Sequence, residues 1–432
     1  MMFTLIMRRP DGSTFRLFLD TATSRLTDEA GRLIDISPLG VVYDNEGATL
    51  RDAPVTTRER AERKARAVKV LRIQLGMACN FSCAYCVQDR VRPGHDERPS
   101  DVAAFLGGLD GWISGAPAVV ELWGGEPFLY WHKLKPLVEG LRRRWPEVKL
   151  RLVTNGSLLD MEKVNWLVGL GDISVTVSHD GPGQHLRGKD PLNNPETLAA
   201  IRSLFARLGT FAKFHAVMSL PHHSPIALLH YFFDRLGTTE IQVSSSGLKY
   251  PPTREAGMHL VPGTPEEYTA MRHNLAREFR TPHVFANAIV AAPLRHLLYQ
   301  FAKAAPARAR GQGCNMDNPE HLVVTLGGDV LVCHNTSATT HKIGSVHDFD
   351  AIRLGYSTSW HNRPECNSCP ALLSCGGACM MMEGRERALS CDNNFSHGLV
   401  YLATLLYALT GDDLLRIEGG RIRYSGVTSF DF

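Results

Sequence analysis

The chain has 432 residues, 44% of them apolar and 21% charged, enough for a barrel-sized catalytic domain with smaller units attached. This composition excludes wholesale disorder, and a formal net charge of +3 removes any global demand for nucleic acid or an acidic membrane. No eighteen consecutive apolar residues occur, so no membrane span is expected.

The opening residues, MMFTLIMRRPDG, break their apolar run at Arg8 and Arg9 and lack a small-residue cleavage site. They do not read as an export signal, so a cytoplasmic location is expected. In that reducing compartment ten cysteines seldom form disulfides and point to metal instead. Residues 1–68 read as a β-rich appendage, with strands at Thr14–Leu19 and Leu33–Ile36 around a turn at Asp28–Gly31. The basic run from Arg58 to Arg66, with Lys64 inside it, is offset by Glu59 and Glu62. Thr57–Ala67 is therefore expected to be a charged, solvated helix.

From Val70 the periodicity changes. Apolar strand-like runs at Val70–Leu75, Val119–Trp123, Leu150–Thr154, Ile173–Ser178, Phe214–Ser219 and Ile241–Ser245 alternate with amphipathic stretches. The latter lie near Asp101–Ile113, His132–Arg144, Met161–Gly169, Pro195–Leu208 and Pro225–Leu236. Parallel strands need crossover connections, so the pattern predicts an α/β fold: a partial (β/α)6 barrel over residues 69–282. Its active site is expected at the carboxyl ends of the strands. Helices at Pro265–Arg280 and Ala286–Lys303 follow, the bridge being residues 283–312. A cysteine-rich unit spans 313–395, and residues 396–432 read as an apolar helix, Leu399–Leu409, and a hairpin around Gly419–Gly420.

After the first barrel strand stands CNFSCAYC, placing Cys79, Cys83 and Cys86 at spacing C-x3-C-x2-C. Three thiolates on one loop can hold three irons of a [4Fe–4S] cube and leave the fourth open to a cofactor. A structural zinc knuckle is the alternative; it needs a fourth local ligand, for which His95 is the near candidate. The second strand ends in WGGEP, where Gly124 and Gly125 permit close approach to the backbone and Glu126, before Pro127, can receive an ammonium group. This set resembles the signature of the radical S-adenosylmethionine (SAM) superfamily. The resemblance implies that Tyr85, Gly124, Gly125, Glu126, Pro127, Thr154, Asn155, Ser178 and Asp180 line the SAM cavity, a turn cap being the other reading of Ser178. It also implies reductive cleavage of SAM to a 5′-deoxyadenosyl radical that abstracts hydrogen from an unactivated carbon.

Seven further cysteines follow, with Cys314 and Cys333 preceding the run Cys366, Cys369, Cys375, Cys379 and then Cys391. Their order, C-x13-G-x4-C with Gly328, then C-x2-C-x5-C-x3-C and a last cysteine, resembles a SPASM domain of peptide and protein maturases. Zinc ribbons are the alternative. By that resemblance Cys366, Cys369, Cys375 and Cys391 hold an outer cluster, and Cys314, Cys333 and Cys379 an inner one. The chain would then carry three [4Fe–4S] clusters. The inner cluster, with three thiolates, is expected to have an open iron or a ligand such as Asp317, Glu320 or His334, or a substrate thiolate or amine.

The implied function is maturation of a ribosomally made peptide or protein, with radical hydrogen abstraction followed by carbon–carbon or carbon–heteroatom cross-linking. An electron donor such as flavodoxin or ferredoxin is the expected partner, with no nucleic acid and no membrane. Formylglycine formation and peptide epimerisation are the alternatives within the class; a cluster-bearing electron carrier or a structural zinc protein is the alternative outside it. Sulfatase maturases carry an aspartate after the second SPASM cysteine, where this chain has His334. His334 and Asp317 are the candidate catalytic residues. The amino-terminal segment is either a strand-addition site for a leader peptide or a cover for the barrel edge. Met380–Met382 read as packing around a cluster, and His222 and His223, in a polar loop without ligand spacing, carry no assigned role.

Overall fold

The computed structural model describes residues 1–44, 51–90, 101–248, 255–280, 288–355, 358–422 and 427–432. His95, the fourth ligand that a zinc knuckle would use, lies outside them. Strands β1 (Met2–Arg8), β2 (Thr14–Asp20) and β3 (Arg25–Thr27) form an antiparallel meander. Alternate residues Phe3, Leu5 and Met7 of β1 and Leu17 and Leu19 of β2 are buried, as a half-buried strand requires. Leu33 joins this sheet only through an isolated bridge to Thr27, so Leu33–Ile36 is not a strand.

No helix forms over Thr57–Ala67; the expectation of a solvated helix is wrong. The segment runs as a strap along the carboxyl-terminal region, with Ala65 N donating to Pro319 O (2.8 Å) and Glu62 O accepting from Leu354 N (2.9 Å). Lys64 Nζ donates to the carbonyls of Met316 (2.7 Å) and Asn318 (3.0 Å). Tertiary partners for these backbone and side-chain groups outweigh a weak local helical preference.

The next six strands are parallel and follow chain order. They are β4 (Val70–Gln74), β5 (Val119–Trp123), β6 (Lys149–Thr154), β7 (Ile173–Ser178), β8 (Ala212–Met218) and β9 (Gln242–Gly247). Between them lie α1 (Asp101–Gly108), α2 (Trp131–Arg144), α3 (Met161–Gly169), α4 (Pro195–Leu208) and α5 (Pro225–Leu236). Two helices follow, α6 (Pro265–Phe279) and α7 (Ala288–Lys303). Proline opens α4, α5 and α6 directly after the capping side chains of Asn194, Ser224 and Thr264, which is why these starts are legible. On the sheet face opposite the apolar core, Arg72, Glu121 and Arg151 occupy neighbouring register positions on β4, β5 and β6. Arg72 pairs with Glu121, and Arg151 donates to Glu121 at 3.1 Å.

The barrel sheet does not stop at six strands. β10 (His321–Thr325) adds parallel to β4, and β11 (Asp329–Leu331) and β12 (Lys342–Ser345), separated by the short α8 (Ala338–His341), extend it antiparallel. Short helices α9 (Pro364–Asn367) and α10 (Leu372–Cys375) precede a 27-residue helix, α11 (Gly384–Thr410). This helix starts well before the expected Leu399, and it carries Cys391. Strands β13 (Asp413–Ile422) and β14 (Val427–Asp431) return to the amino terminus, where β13 pairs with β1 in a five-stranded sheet. β13 and β14 pair antiparallel as the expected hairpin, with Gly419 and Gly420 lying within β13 at a register shift. Among the described residues no helix is long and apolar enough to cross a membrane.

Candidate active site

The loop after β4 and the WGGEP loop after β5 are held together by main-chain bonds. Gly125 N donates to Gly76 O (3.0 Å) and Glu126 N to Ala78 O (2.9 Å). A Cβ at Gly124 would meet Gly76 O at 2.8 Å, and one at Gly125 would meet Ala78 O at 2.1 Å. The glycines therefore serve close packing of two protein loops, a reason different from the ligand approach expected of them. Ala78 N also donates to Tyr130 OH at 2.7 Å, which anchors the loop carrying Cys79.

Glu126 is buried, and its carboxylate accepts from Phe128 N (3.1 Å), Thr154 Oγ1 (2.7 Å) and Asn155 N (2.7 Å). Burial raises its pKa against those three donors. Two of these three bonds tie the loop after β5 to the end of β6. Asn155 extends the link, donating to Asn80 Oδ1 (2.8 Å) and to Cys79 Sγ (3.9 Å). Pro127 is buried at the start of the helical turn that Glu126 caps, and Ser178 ends β7 half-buried.

Tyr85 and Asp180 meet directly, the phenol donating to Asp180 Oδ2. Arg187, which the sequence reading did not single out, completes the group. Its Nη1 donates to Tyr85 OH (3.1 Å) and to Asp180 Oδ1 (3.5 Å). Burial works against the Arg187 cation, but Tyr85, Asp180 and Cys83 more than offset it and raise its pKa. Burial pushes the Cys83 thiol up to about 11, opposed by Arg187 and reinforced by Cys86 and Cys79, so the three thiols of this loop lie within electrostatic reach of one another. A signal for Arg187 existed only as a basic residue shortly after SHDGP; nothing local marked it as buried.

The other seven thiols gather in two sets. Burial raises Cys314 to about 12, with Cys379 and Cys333 adding to the effect, and raises Cys333 to about 11, with Cys379 again contributing. Burial likewise raises Cys366 to about 12 and Cys369 well above the usual thiol, with Cys375 and Cys391 acting on both. Arg363 spans the two sets: it lowers Cys366 and donates to the carbonyls of Gly377 (3.1 Å) and Cys379 (3.3 Å).

The three candidate extra ligands differ in placement. Asp317 is buried close enough to Cys314 to act on it, and its Oδ2 accepts from Gln312 N at 2.9 Å. Glu320 pairs with Lys69 at 2.7 Å. His334 sits against Trp123, ring centroids 4.2 Å apart, with Arg72 Nη1 3.3 Å from its Nδ1. Burial and the Arg72 cation hold His334 down to about 3, so its ring is neutral at pH 7 and a weak proton acceptor. Gln74 on β4 donates to Thr336 O (2.8 Å), keeping the segment after Cys333 against the barrel.

Among the described residues no three His, Cys, Asp or Glu side chains converge as ligands of one ion. A cube distributes its thiolates over separate irons, so sulfurs grouped more loosely than around one ion suit a cluster. In each set burial raises at least one thiol, Cys83 in the first, Cys314 and Cys333 in the second and Cys366 and Cys369 in the third; a positive centre would offset that cost and iron supplies one, so the donor set fits. Beside the first set, Arg187 Nε and Gln184 Nε2 are buried without a partner, two donors suited to the carboxylate and hydroxyl oxygens of SAM. A cavity of about 410 Å3 lies between the last barrel strand and the carboxyl-terminal thiols, lined by Ser245, Cys314, Cys379, Asn393 and His397 among others.

Residues 73–215 match the family model of the Radical SAM superfamily. The chain is 30% identical over 149 residues to the S-adenosylmethionine-dependent nucleotide dehydratase of Psychrobacter lutiphocae, covering 29% of this chain and 49% of that protein. It is 35% identical over 118 residues to GTP 3′,8-cyclase of Synechococcus sp., covering 27% and 33%. The chain thus spans half or less of the length of these curated relatives. Among solved structures, native anSMEcpe with bound AdoMet shares the fold with TM-score 0.58 at 17% identity, over 79% of this chain and 98% of that one. The same protein with AdoMet and the Cp18Cys peptide gives 0.56, with the same identity and coverage. Residues 73–215 of this chain thus form a radical SAM domain.

Proposed function

We propose that this protein is a radical SAM/SPASM maturase that cross-links a ribosomally made peptide through a carbon–carbon or carbon–heteroatom bond. The observation that carries the reading is the gathering of all ten cysteines into one set at the barrel mouth and two beyond it. Cys79, Cys83 and Cys86 would hold the SAM-binding cluster; Cys314, Cys333 and Cys379 the inner auxiliary cluster; Cys366, Cys369, Cys375 and Cys391 the outer one. When bound, SAM and its reduced cluster supply a hydrogen-abstracting radical, and the auxiliary clusters supply an acceptor for the second electron.

The chain's own residues do the positioning. Gly125 and Glu126 fix the cluster loop against β5, and Glu126 fixes the end of β6. Arg187, Tyr85 and Asp180 form a buried polar wall beside Cys83, in which the guanidinium can meet a carboxylate. The shared fold with anSMEcpe, itself solved with AdoMet and a peptide, supports a peptide substrate. The nucleotide-directed names of the curated relatives rest on matches over 29% of this chain or less, and so favour the shared cofactor chemistry over a shared substrate.

Anaerobic reconstitution tests the reading: about twelve irons per chain are expected, three cubes' worth. Dithionite and SAM should release 5′-deoxyadenosine, and a co-expressed substrate peptide should lose two hydrogens in mass. An unchanged peptide mass would favour epimerisation. A colourless, zinc-bearing protein that leaves SAM intact would end the proposal.

A further inference from the structure

His223 and His397 lie far apart in the chain, one after β8 and one within α11, yet their rings meet at the end of β9. His223 Nδ1 is 2.8 Å from Ser219 O, and His397 Nδ1 is 2.9 Å from Asn393 O. A carbonyl oxygen only accepts, so each Nδ1 carries the hydrogen of its neutral ring. Each Nε2 is left with a lone pair, and the two Nε2 atoms face each other at 3.3 Å. Facing lone pairs repel, and a single proton between them turns that repulsion into an N–H···N hydrogen bond. A second proton is opposed: burial, then the charge of His397, pushes His223 down to about 3.

The pair stands in a wall between two spaces. His397 lines the cavity of about 410 Å3 that also holds Cys314 and Cys379. His223 lines a smaller one of about 110 Å3 with Asp180 and His222. Asn393, in the wall of the larger cavity, gives its Nδ2 hydrogen to Leu248 O and keeps a buried Oδ1 without a partner. An unpaired buried acceptor is costly, and an N–H or O–H on a ligand would satisfy it. Gly247 makes room for the arrangement, since a Cβ there would sit 2.2 Å from His397 Cε1.

We propose that His223 and His397 act as one proton acceptor for the peptide in the larger cavity, a reading that rests on the function proposed above. The peptide's X–H bond breaks heterolytically, the electron pair stays on the peptide, and the proton comes to rest between the two Nε2 atoms. The groups facing the pair suit this role. On α11, burial pushes Tyr401 up to about 12, so its phenol stays protonated. On α6, Arg272 donates to Ser396 Oγ (3.3 Å), and Glu278 accepts from Ser224 Oγ (2.9 Å). On α7, burial lowers His296 across the larger cavity. His222, lowered by burial, and Asp180 face the smaller cavity.

Two measurements on the reconstituted full chain test the proposal. The first is the pH slope of the thermal midpoint from pH 7 to pH 5. Unfolded histidines each take a proton there, so a folded pair that takes one lags the unfolded chain by one proton, as does either single variant, His223→Gln or His397→Gln. Equal slopes for wild type and single variants are expected, with a shallower slope for the double variant. A wild type steeper than both would mean that the pair takes no proton and would overturn the idea. The second is cross-linked peptide formed per 5′-deoxyadenosine released. His397→Gln and Gly247→Ala should keep 5′-deoxyadenosine release within about twofold while this ratio falls about 10²-fold, the usual weight of a general base. An unchanged ratio overturns the acceptor role, as does a zinc ion bound by the wild type and lost in His397→Gln. A wild type that releases no 5′-deoxyadenosine refutes the radical reading instead, and equal slopes would then still support the shared proton.

Discussion

Replacing Gly125 by alanine tests whether the two loops at the barrel mouth are locked by backbone contact. The new Cβ would lie 2.1 Å from Ala78 O, 2.5 Å from Ala78 C and 2.6 Å from Met77 O, all of them main-chain atoms. Real Cβ contacts essentially never fall below 3.0 Å, so the loops must separate, and no flexible side chain is present to yield instead. Separation stretches two hydrogen bonds, Gly125 N to Gly76 O and Glu126 N to Ala78 O. Two such bonds are worth about 1 kcal/mol each, and overpacking adds about 1–3 kcal/mol. A loss of about 3–5 kcal/mol is expected, a large share of a typical stability of roughly 5–15 kcal/mol. Denaturant midpoints, with amide hydrogen exchange read at residues 125 and 126, measure it. An alanine variant with the wild-type midpoint and equally slow exchange at those two amides would refute the reasoning.

Three further outcomes are expected. Asp190 is pushed up by burial, but the hydrogen bonds of His179 and Tyr231 win and bring it from 3.8 to about 2. Its lowered pKa contributes about 2 kcal/mol that is complete above its unfolded pKa and lost as pH falls through about 2. Acid titration of unfolding should show that limb in wild type and lose it in Asp190→Asn. Arg187→Met leaves the buried Asp180 carboxylate without its cation and should cost about 3–5 kcal/mol in thermal or denaturant unfolding, with Arg187→Lys recovering only part. Cys391→Ser should remove about four irons of about twelve, measured after reconstitution, while SAM cleavage continues.

How far the chain could be read without its fold differs from element to element. Val119–Trp123 and Ile173–Ser178 were legible as strands, and α3, α4 and α5 as helices with their observed bounds. Their signals are local: an alternating or continuous apolar run, or a proline set directly after a capping side chain. The helix expected over Thr57–Ala67 failed because its backbone partners, the carbonyl of Pro319 and the amide of Leu354, come from about 250 residues or more downstream. The early start of α11 was hidden because residues 390–398, between its opening turns and its apolar half, are rich in Asn, Ser, His and Gly, residues of low intrinsic helicity. The helix is kept by burial of Phe395, Leu399 and Val400.

Legible from residue order were the alternation of strands and helices, the CNFSCAYC loop after the first barrel strand, and the order of the seven later cysteines. Those features rest on spacing, which a linear chain displays openly. Tertiary structure alone decided that β10 would become a seventh parallel strand beside β4 and that β13 would pair with β1. It also decided that Arg187 would be buried between Tyr85 and Asp180, and that His223 would face His397. Each of these joins residues far enough apart, or buried deeply enough, that no local period records the contact; only the packing of the whole chain sets such distances.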